Sequence, residues 1–122
     1  MLVTNLEIWQ AREPLQELLK EPWPVKTAYW LAKLARKCGE QYADIDGVRV
    51  KLIKQYGASG ENGQVSISPD APNWPQFAAQ FNELMELTVD IPIDRVVLPD
   101  SDLQVTPVAL MALEPFVEVA GT

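Results

Sequence analysis

The stretch VKTAYWLAKLARKCGEQYADIDGVRVKLIKQY, from Val25 to Tyr56, determines the fold of this chain. Its apolar residues recur at steps of three or four, which is the spacing that lines one side of an α-helix. These positions, which we call the seam, are Leu31, Leu34, Cys38, Tyr42, Ile45, Val48, Leu52 and Tyr56. A helix of this length would extend for about 45–50 Å at a rise of ~1.5 Å per residue. The stretch therefore predicts a long rod whose seam must be covered by other parts of the protein or by a partner.

A shorter helix is predicted before this rod. Thr4 and Glu7 have the spacing of a capping box, so a helix should begin near Asn5. Pro14 lacks an N–H group, and we expect either a kink there or two short helices that meet. The prolines of residues 21–24 end this helix, because the residue before a proline is pushed out of the α region. The short connection predicts an antiparallel helical hairpin.

Three glycines bear on the length of the rod. Gly39 and Gly47 lie inside it, where each costs up to about 1 kcal/mol relative to alanine. A close neighbour or a bend of the helix would account for them. Each buried Leu, Ile or Val contributes roughly 1.5–3 kcal/mol, so the helix is expected to continue through both glycines. Gly57 has the position of a C-cap residue.

The second half of the chain predicts a mixture of short elements. Residues 64–68 and 89–98 alternate polar and apolar side chains and are expected to pair in a small antiparallel sheet. Asn73 with Gln76 is expected to cap a helix that ends near Thr88, and Thr106 to cap a short helix that begins at Pro107. Residues 116–119 resemble a last strand or a docking tail.

Together these elements predict the α+β class: a long antiparallel helical hairpin, a small antiparallel β-sheet and two shorter helices. We expect one domain over residues 1–122, in which residues 58–122 pack on the hairpin of residues 1–57.

The composition disfavours most enzyme chemistry. The chain has no histidine, which is the commonest acid–base catalyst and metal ligand near neutral pH. We therefore expect no enzyme activity, no cofactor and no metal. Asp100, Ser101 and Asp102 resemble an acidic surface turn more than a cation site. Cys38, the single cysteine, is expected to be a small buried apolar side chain, since it lies on the seam.

Charge is distributed unevenly along the chain. Residues 1–57 carry nine Lys and Arg against seven Asp and Glu, whereas residues 58–122 carry one against ten. The acidic half is either a solvated surface or the partner of the basic residues of the rod, within one subunit or between two. A nucleic-acid partner is disfavoured because a basic footprint is lacking. Because no signal-peptide pattern or ~20-residue apolar run is present, we expect a cytoplasmic protein without a membrane partner.

The order of these features resembles a family of small proteins of unknown function that tailed phages and prophages encode. The resemblance covers most of the chain, through an early Leu-rich helix, residues 24–26 opening the rod, residues 31–34, 49–57 and 81–84, and residues 107–113 near the end. It supplies no catalytic residues. It implies a virion or assembly component, or an accessory factor that acts on the host, located in the host cytoplasm or in the virion.

From the seam and the resemblance we expect a non-enzymatic protein that acts through protein–protein contacts. Because the first helix is shorter than the rod, part of the seam is available to a second copy of the chain, or to another phage or host protein. The interface candidates are Ile45, Val48 and Leu52, with Trp23 and Trp74 as anchors. The alternative for the two tryptophans is that they pack the ends of the hairpin.

The main alternative is a module that sequesters a small anionic ligand, such as a host defence signal, between subunits. Arg49, Lys51, Lys54 and Arg95 are the anion-binding candidates, because guanidinium and ammonium groups bind phosphate. A carboxylate-dependent hydrolase that uses the acidic half is a third hypothesis.

Overall fold

A computed structural model describes residues 1–59, 63–99 and 105–120 of the chain. The described residues form four helices and six short strands. In chain order they are β1 (Leu2–Thr4), α1 (Asn5–Leu19), α2 (Val25–Tyr56), β2 (Ala58–Ser59), β3 (Val65–Ser66), α3 (Trp74–Glu86), β4 (Thr88–Asp90), β5 (Val96–Leu98), α4 (Pro107–Leu113) and β6 (Val117–Val119). The predicted α+β class is confirmed, and the predicted rod is one continuous helix with the predicted bounds.

The helical hairpin begins with the capping box that the sequence predicts. The backbone N–H of Glu7 donates to the Thr4 hydroxyl at 3.1 Å, and the backbone N–H of Thr4 donates to the Glu7 carboxylate at 2.9 Å. Helix α1 runs through Pro14 without a break, so the alternative of two short helices is wrong. Pro24 is the N-cap of α2 and the helix begins at Val25.

The core lies where α1, α3 and the C-terminal segments cover α2. Four seam residues are buried, and the most completely buried large side chains of the described residues come from α1, α2 and the α4–β6 segment: Phe116, Ile8, Leu31, Leu34, Ile45 and Leu113. Helix α3 and strands β3 and β5 contact α2 directly. The C-terminal half therefore covers much of the seam that α1 is too short to reach.

The strands pair differently from the prediction. Strand β4 pairs antiparallel with β1, with Val3 opposite Val89, and β3 pairs antiparallel with β2. Strands β5 and β6 pair in parallel, with Val96 opposite Val117. The predicted pairing of residues 64–68 with 89–98 is wrong. Strand β3 pairs with β2, the strand just before it in sequence, and β4 pairs with β1 at the start of the chain.

The capping of α3 also differs. Asn73 makes no side-chain cap; its Nδ2 donates to the carbonyl oxygen of Tyr56 at 3.2 Å and ties the start of α3 to the end of α2. Thr106 caps α4 as predicted, because its hydroxyl accepts from the N–H of Ala109 at 3.2 Å. Asp100, Ser101 and Asp102 lie outside the described residues.

Asn5 is the buried polar side chain that joins three helices, and it is 2% exposed. Its Nδ2 donates to the carbonyl oxygen of Leu84 in α3 at 2.9 Å, and its Oδ1 accepts from Nε2 of Gln41 in α2 at 3.1 Å. Its backbone N–H donates to the carbonyl oxygen of Leu87 at 2.9 Å. Hydrogen bonds of this one residue thus join the start of α1 to the middle of α2 and to the end of α3.

Replacing Asn5 by Ala should lower the free energy of unfolding by about 1–3 kcal/mol, because the two hydrogen bonds that join its side chain to Leu84 of α3 and Gln41 of α2 would be lost. Urea denaturation measures the change. Asn73→Ala is the matched control, since it removes an exposed hydrogen bond and should cost less than about 1 kcal/mol. Equal costs for the two variants would contradict a central role for Asn5.

The glycines of α2 have different explanations. A Cβ atom added at Gly39 or Gly47 would meet nothing within 4 Å, so the expectation of a close neighbour is wrong at both positions. At Gly57 the φ angle is −87°, which any residue adopts. There a Cβ atom would lie 2.5 Å from the carbonyl oxygens of Ile53 and Ser66. The close approach that requires a glycine is therefore at the end of α2, where β3 returns against it.

Alanine substitutions at these glycines should change stability in opposite directions. Gly39→Ala and Gly47→Ala should each raise the free energy of unfolding by up to about 1 kcal/mol, because alanine favours the helix and meets no neighbour. Gly57→Ala should lower it, because its Cβ would collide with two backbone oxygens. Urea denaturation of the three variants measures both effects. A destabilising Gly47→Ala would contradict the open space at that position.

Cys38 is buried on the seam, which confirms its predicted packing role. Burial raises the pKa of its thiol from 9.0 to about 11, because the thiolate would be poorly solvated there. The thiol is therefore neutral at physiological pH and unsuited to nucleophilic chemistry.

The raised pKa of Cys38 predicts a loss of stability in alkali. The unfolded chain releases the thiol proton near pH 9 and the folded chain only near pH 11, so the unfolded state gains relative to the folded state across that interval. The free energy of unfolding should fall by at most about 2–3 kcal/mol there and then level off. Cys38→Ala should show a shallower decline over the same interval in urea denaturation. Parallel pH profiles of the two proteins would contradict the shift.

Candidate functional site

The predicted interface residues do not form one accessible surface. Ile45 is 1% exposed, so its prediction as a contact residue is corrected: its side chain packs in the hydrophobic core of the chain. Val48 is 41% exposed, whereas Leu52 is half-buried. Trp23 packs against the core and donates its Nε1–H to the carbonyl oxygen of Leu18 at 2.8 Å. The Trp74 ring lies 5.3 Å from that of Phe77. Both tryptophans therefore have partners within the chain.

The four predicted anion-binding residues are not brought together. Arg49 forms an ion pair with Asp46 at 2.9 Å, and Lys51 and Lys54 are exposed further along α2. Arg95 donates to the carbonyl oxygen of Val117 at 2.8 Å and lines a cleft with Trp30, close to the start of α2. Arg49 follows Trp30 by about 28 Å along the helix axis, at ~1.5 Å per residue. Within one subunit a small ligand cannot contact both ends of this distance, so a site that uses all four residues would have to combine residues of two subunits.

Within the described ranges, the ion pairs of the basic residues of α2 do not involve the acidic half of the chain. Lys37 pairs with Glu40 and Arg49 with Asp46 inside α2, and outside it Lys20 pairs with Glu17 and Arg95 with Glu118. The described residues therefore favour a solvated surface or a contact between subunits over a contact within one subunit.

The most prominent exposed aromatic residues lie at the start of α2. Tyr29 is 56% exposed and Trp30 is 39% exposed, and their ring centres lie 5.3 Å apart in an edge-to-face arrangement. The Nζ atom of Lys33 lies within 6 Å of both ring centres, at 5.9 Å and 5.4 Å. Val97 of β5, which is 50% exposed, lines the same open cleft as Trp30.

This cleft has a volume of about 690 Å³ and contains charges of both signs. Lys26 and Asp94 line it, both are exposed, and neither forms an ion pair with a described residue at 4.0 Å or less. We call this part of the molecule the Trp30 surface; it consists of Lys26, Tyr29, Trp30, Asp94 and Val97.

The sequence contained a signal for this surface that the seam obscured. Val25 and Tyr29 are four residues apart, on a side of the helix different from that of Leu31 and Leu34, and both are exposed. Two adjacent aromatic residues beside an apolar stripe cannot both point into the core. Val97 is exposed because its neighbours Val96 and Leu98 are buried and successive side chains of a strand point to opposite faces.

Within the parts of the chain that the structure describes, no group of three or more Cys, Asp or Glu residues is placed to hold a metal ion. None of the described helices has the length and apolar character needed to cross a membrane. Comparisons of this chain with protein-family models, with curated proteins and with solved structures found no match.

Proposed function

We propose that this protein acts without catalysis, through protein–protein contacts, and that it pairs with a second copy of itself through the Trp30 surface. The observation that carries the proposal is the exposed pair of aromatic rings beside Val97. Tryptophan and tyrosine are the residues most enriched at the energetic centres of interfaces, because they bury a large area with little loss of side-chain freedom. Their exposure in the isolated chain leaves that apolar area to be buried by a partner.

The charges around the rings favour a second copy as that partner. In a twofold dimer both subunits contribute the same patch. Each contact between two different residues therefore occurs twice, once in each direction across the interface. The Trp30 surface is suited to this because Lys26 and Asp94 line one cleft and have no partner among the described residues. Lys26 of each subunit would face Asp94 of the other, with the rings between them.

The sequence resemblance to small phage proteins supports a context for such a dimer. We propose that it serves as a virion or assembly component or as an accessory factor, in the host cytoplasm or in the virion, where the acidic half is a surface available to further protein partners. The alternative, a module that sequesters an anionic signal through Arg49, Lys51, Lys54 and Arg95, is less well supported because Arg95 lies far from the other three.

Charge reversal at the Trp30 surface should change self-association in a characteristic way. Lys26→Glu and Asp94→Lys should each weaken the dimer on the order of tenfold, because each change places like charges together at two symmetric positions. The double variant should restore the wild-type dissociation constant. Sedimentation velocity over a concentration series measures all four proteins.

Trp30→Ala tests the apolar part of the same surface and should abolish dimers at concentrations where the wild type associates. Val108→Lys is the control, since Val108 is exposed on α4 outside the Trp30 surface, and it should associate like the wild type. A wild-type chain that remains monomeric at all concentrations would overturn the proposal. Failure of the charge-reversed double variant to associate would overturn the twofold arrangement.

A further inference from the structure

A groove of about 320 Å³ runs between α1 and α2, away from the residues of the Trp30 surface. We call it the α1–α2 groove. Its lining is largely apolar and includes Ala11 and Leu15 of α1 and Cys38 of α2. Arg12 and Arg36 line it from the two helices. A concave apolar lining with a few polar groups is the usual composition of a small-molecule site.

The charged side chains that line this groove, Arg12 and Arg36, are both positive. The residues that line it include no Asp or Glu, and neither Arg12 nor Arg36 forms an ion pair with a described carboxylate at 4.0 Å or less. The guanidinium carbon of Arg12 lies 4.4 Å from the centre of the Tyr42 ring, a cation–π contact that holds this side chain beside the groove. Two guanidinium groups beside an apolar lining therefore complement a molecule with an anionic head and an apolar body.

Gly39 supplies the space that such a molecule needs. It lines the groove, and a Cβ atom at this position would meet nothing within 4 Å. A glycine within a helix lowers helix stability, and no contact with the described residues compensates for it here. The open groove is a reason for its presence, because a larger side chain would project into the space between the helices.

We infer that the α1–α2 groove binds a free carboxylate with a short aliphatic chain. A groove of about 320 Å³ is at the small end of the volumes typical of ligand sites, which suits a molecule of the size of octanoate. The aliphatic chain lies against Leu19, Ala35 and Gly39, which line the groove and keep accessible surface, and the carboxylate accepts hydrogen bonds from Arg12 and Arg36. This inference does not depend on the proposed dimer, because none of the residues that define the Trp30 surface lines the groove.

Calorimetric titration with a series of ligands tests the chemistry. Binding of hexanoate and octanoate should strengthen by roughly fourfold for each added methylene, until the groove is filled. Octanol and octylamine, which keep the chain but lack the negative charge, should bind at least about tenfold more weakly than octanoate. Equal affinities for octanoate and octylamine would overturn the inference. All ligands are used below the concentrations at which they form micelles.

Glycine variants of α2 supply a matched pair. Gly39→Leu should abolish octanoate binding because its side chain fills the groove. Gly47→Leu should bind like the wild type, since Gly47 is also an exposed helical glycine with open space but does not line the groove. Circular dichroism checks that both variants fold. Identical binding by the two variants would contradict the assigned site.

Arg12→Gln and Arg36→Gln each remove one positive charge and keep a polar side chain, so each should weaken octanoate binding by about tenfold while leaving octanol binding unchanged. Unchanged octanoate affinity in both variants would overturn the site.

Two other occupants give distinct results. Co-sedimentation of the protein with phosphatidylglycerol vesicles, lost in Arg12→Gln and Arg36→Gln, would assign the groove to a lipid surface and overturn the free-ligand inference. A change of oligomeric state in Gly39→Leu, measured by sedimentation velocity, would assign it to a second copy and likewise overturn the inference. Neither change is expected.

Discussion

The arrangement of the three longer helices depends on the side chain of Asn5. Its Oδ1 atom accepts a hydrogen bond from Gln41 of α2, and its Nδ2 atom donates one to Leu84 of α3. Its backbone N–H donates to the carbonyl oxygen of Leu87, the residue before β4. A buried amide without these partners would destabilise the interior, so the three helices are favoured in the one arrangement that satisfies all of them. The capping box of Thr4 and Glu7 places Asn5 at the first position of α1 and thereby orients this network.

This arrangement determines which parts of α2 are accessible. Helix α1 lies beside α2 at least as far as Tyr42, whose ring stacks on that of Trp9, and α3, β3 and β5 also contact α2. Ile45 is therefore inside the molecule, whereas the two rings at the start of α2 and the groove at Gly39 are accessible. The proposed dimer contact and the proposed ligand groove therefore occupy different sides of the same rod, and each can be tested without the other.

Local signals in the sequence predicted the helices well. The period of the seam, the capping box and the Thr106 cap depend on residues close together in the chain, and all three are confirmed. Strand pairing was predicted incorrectly because strands of two or three residues carry little pattern, and their partners are chosen by the packing of distant helices. The accessible sites were missed for a related reason. Whether Ile45 is exposed depends on which elements distant in sequence pack against α2, and no local spacing encodes that. The local signal for the Trp30 surface was obscured by the stronger period of the seam.

The hydrogen bond between Asn5 and Leu84 joins residues that are 79 positions apart, and the pairing of β1 with β4 spans a similar distance. Closing so large a loop costs chain entropy, and the contacts that offset this cost form only after the loop is closed. The cost is smaller for α1 and α2, because a short connection joins them. The hairpin should therefore form early, before α3 packs against it. During that interval the side of α2 that α3 and β5 contact in the folded protein is uncovered, so a newly made chain is most vulnerable to aggregation after its rod has formed and before its second half has packed against it.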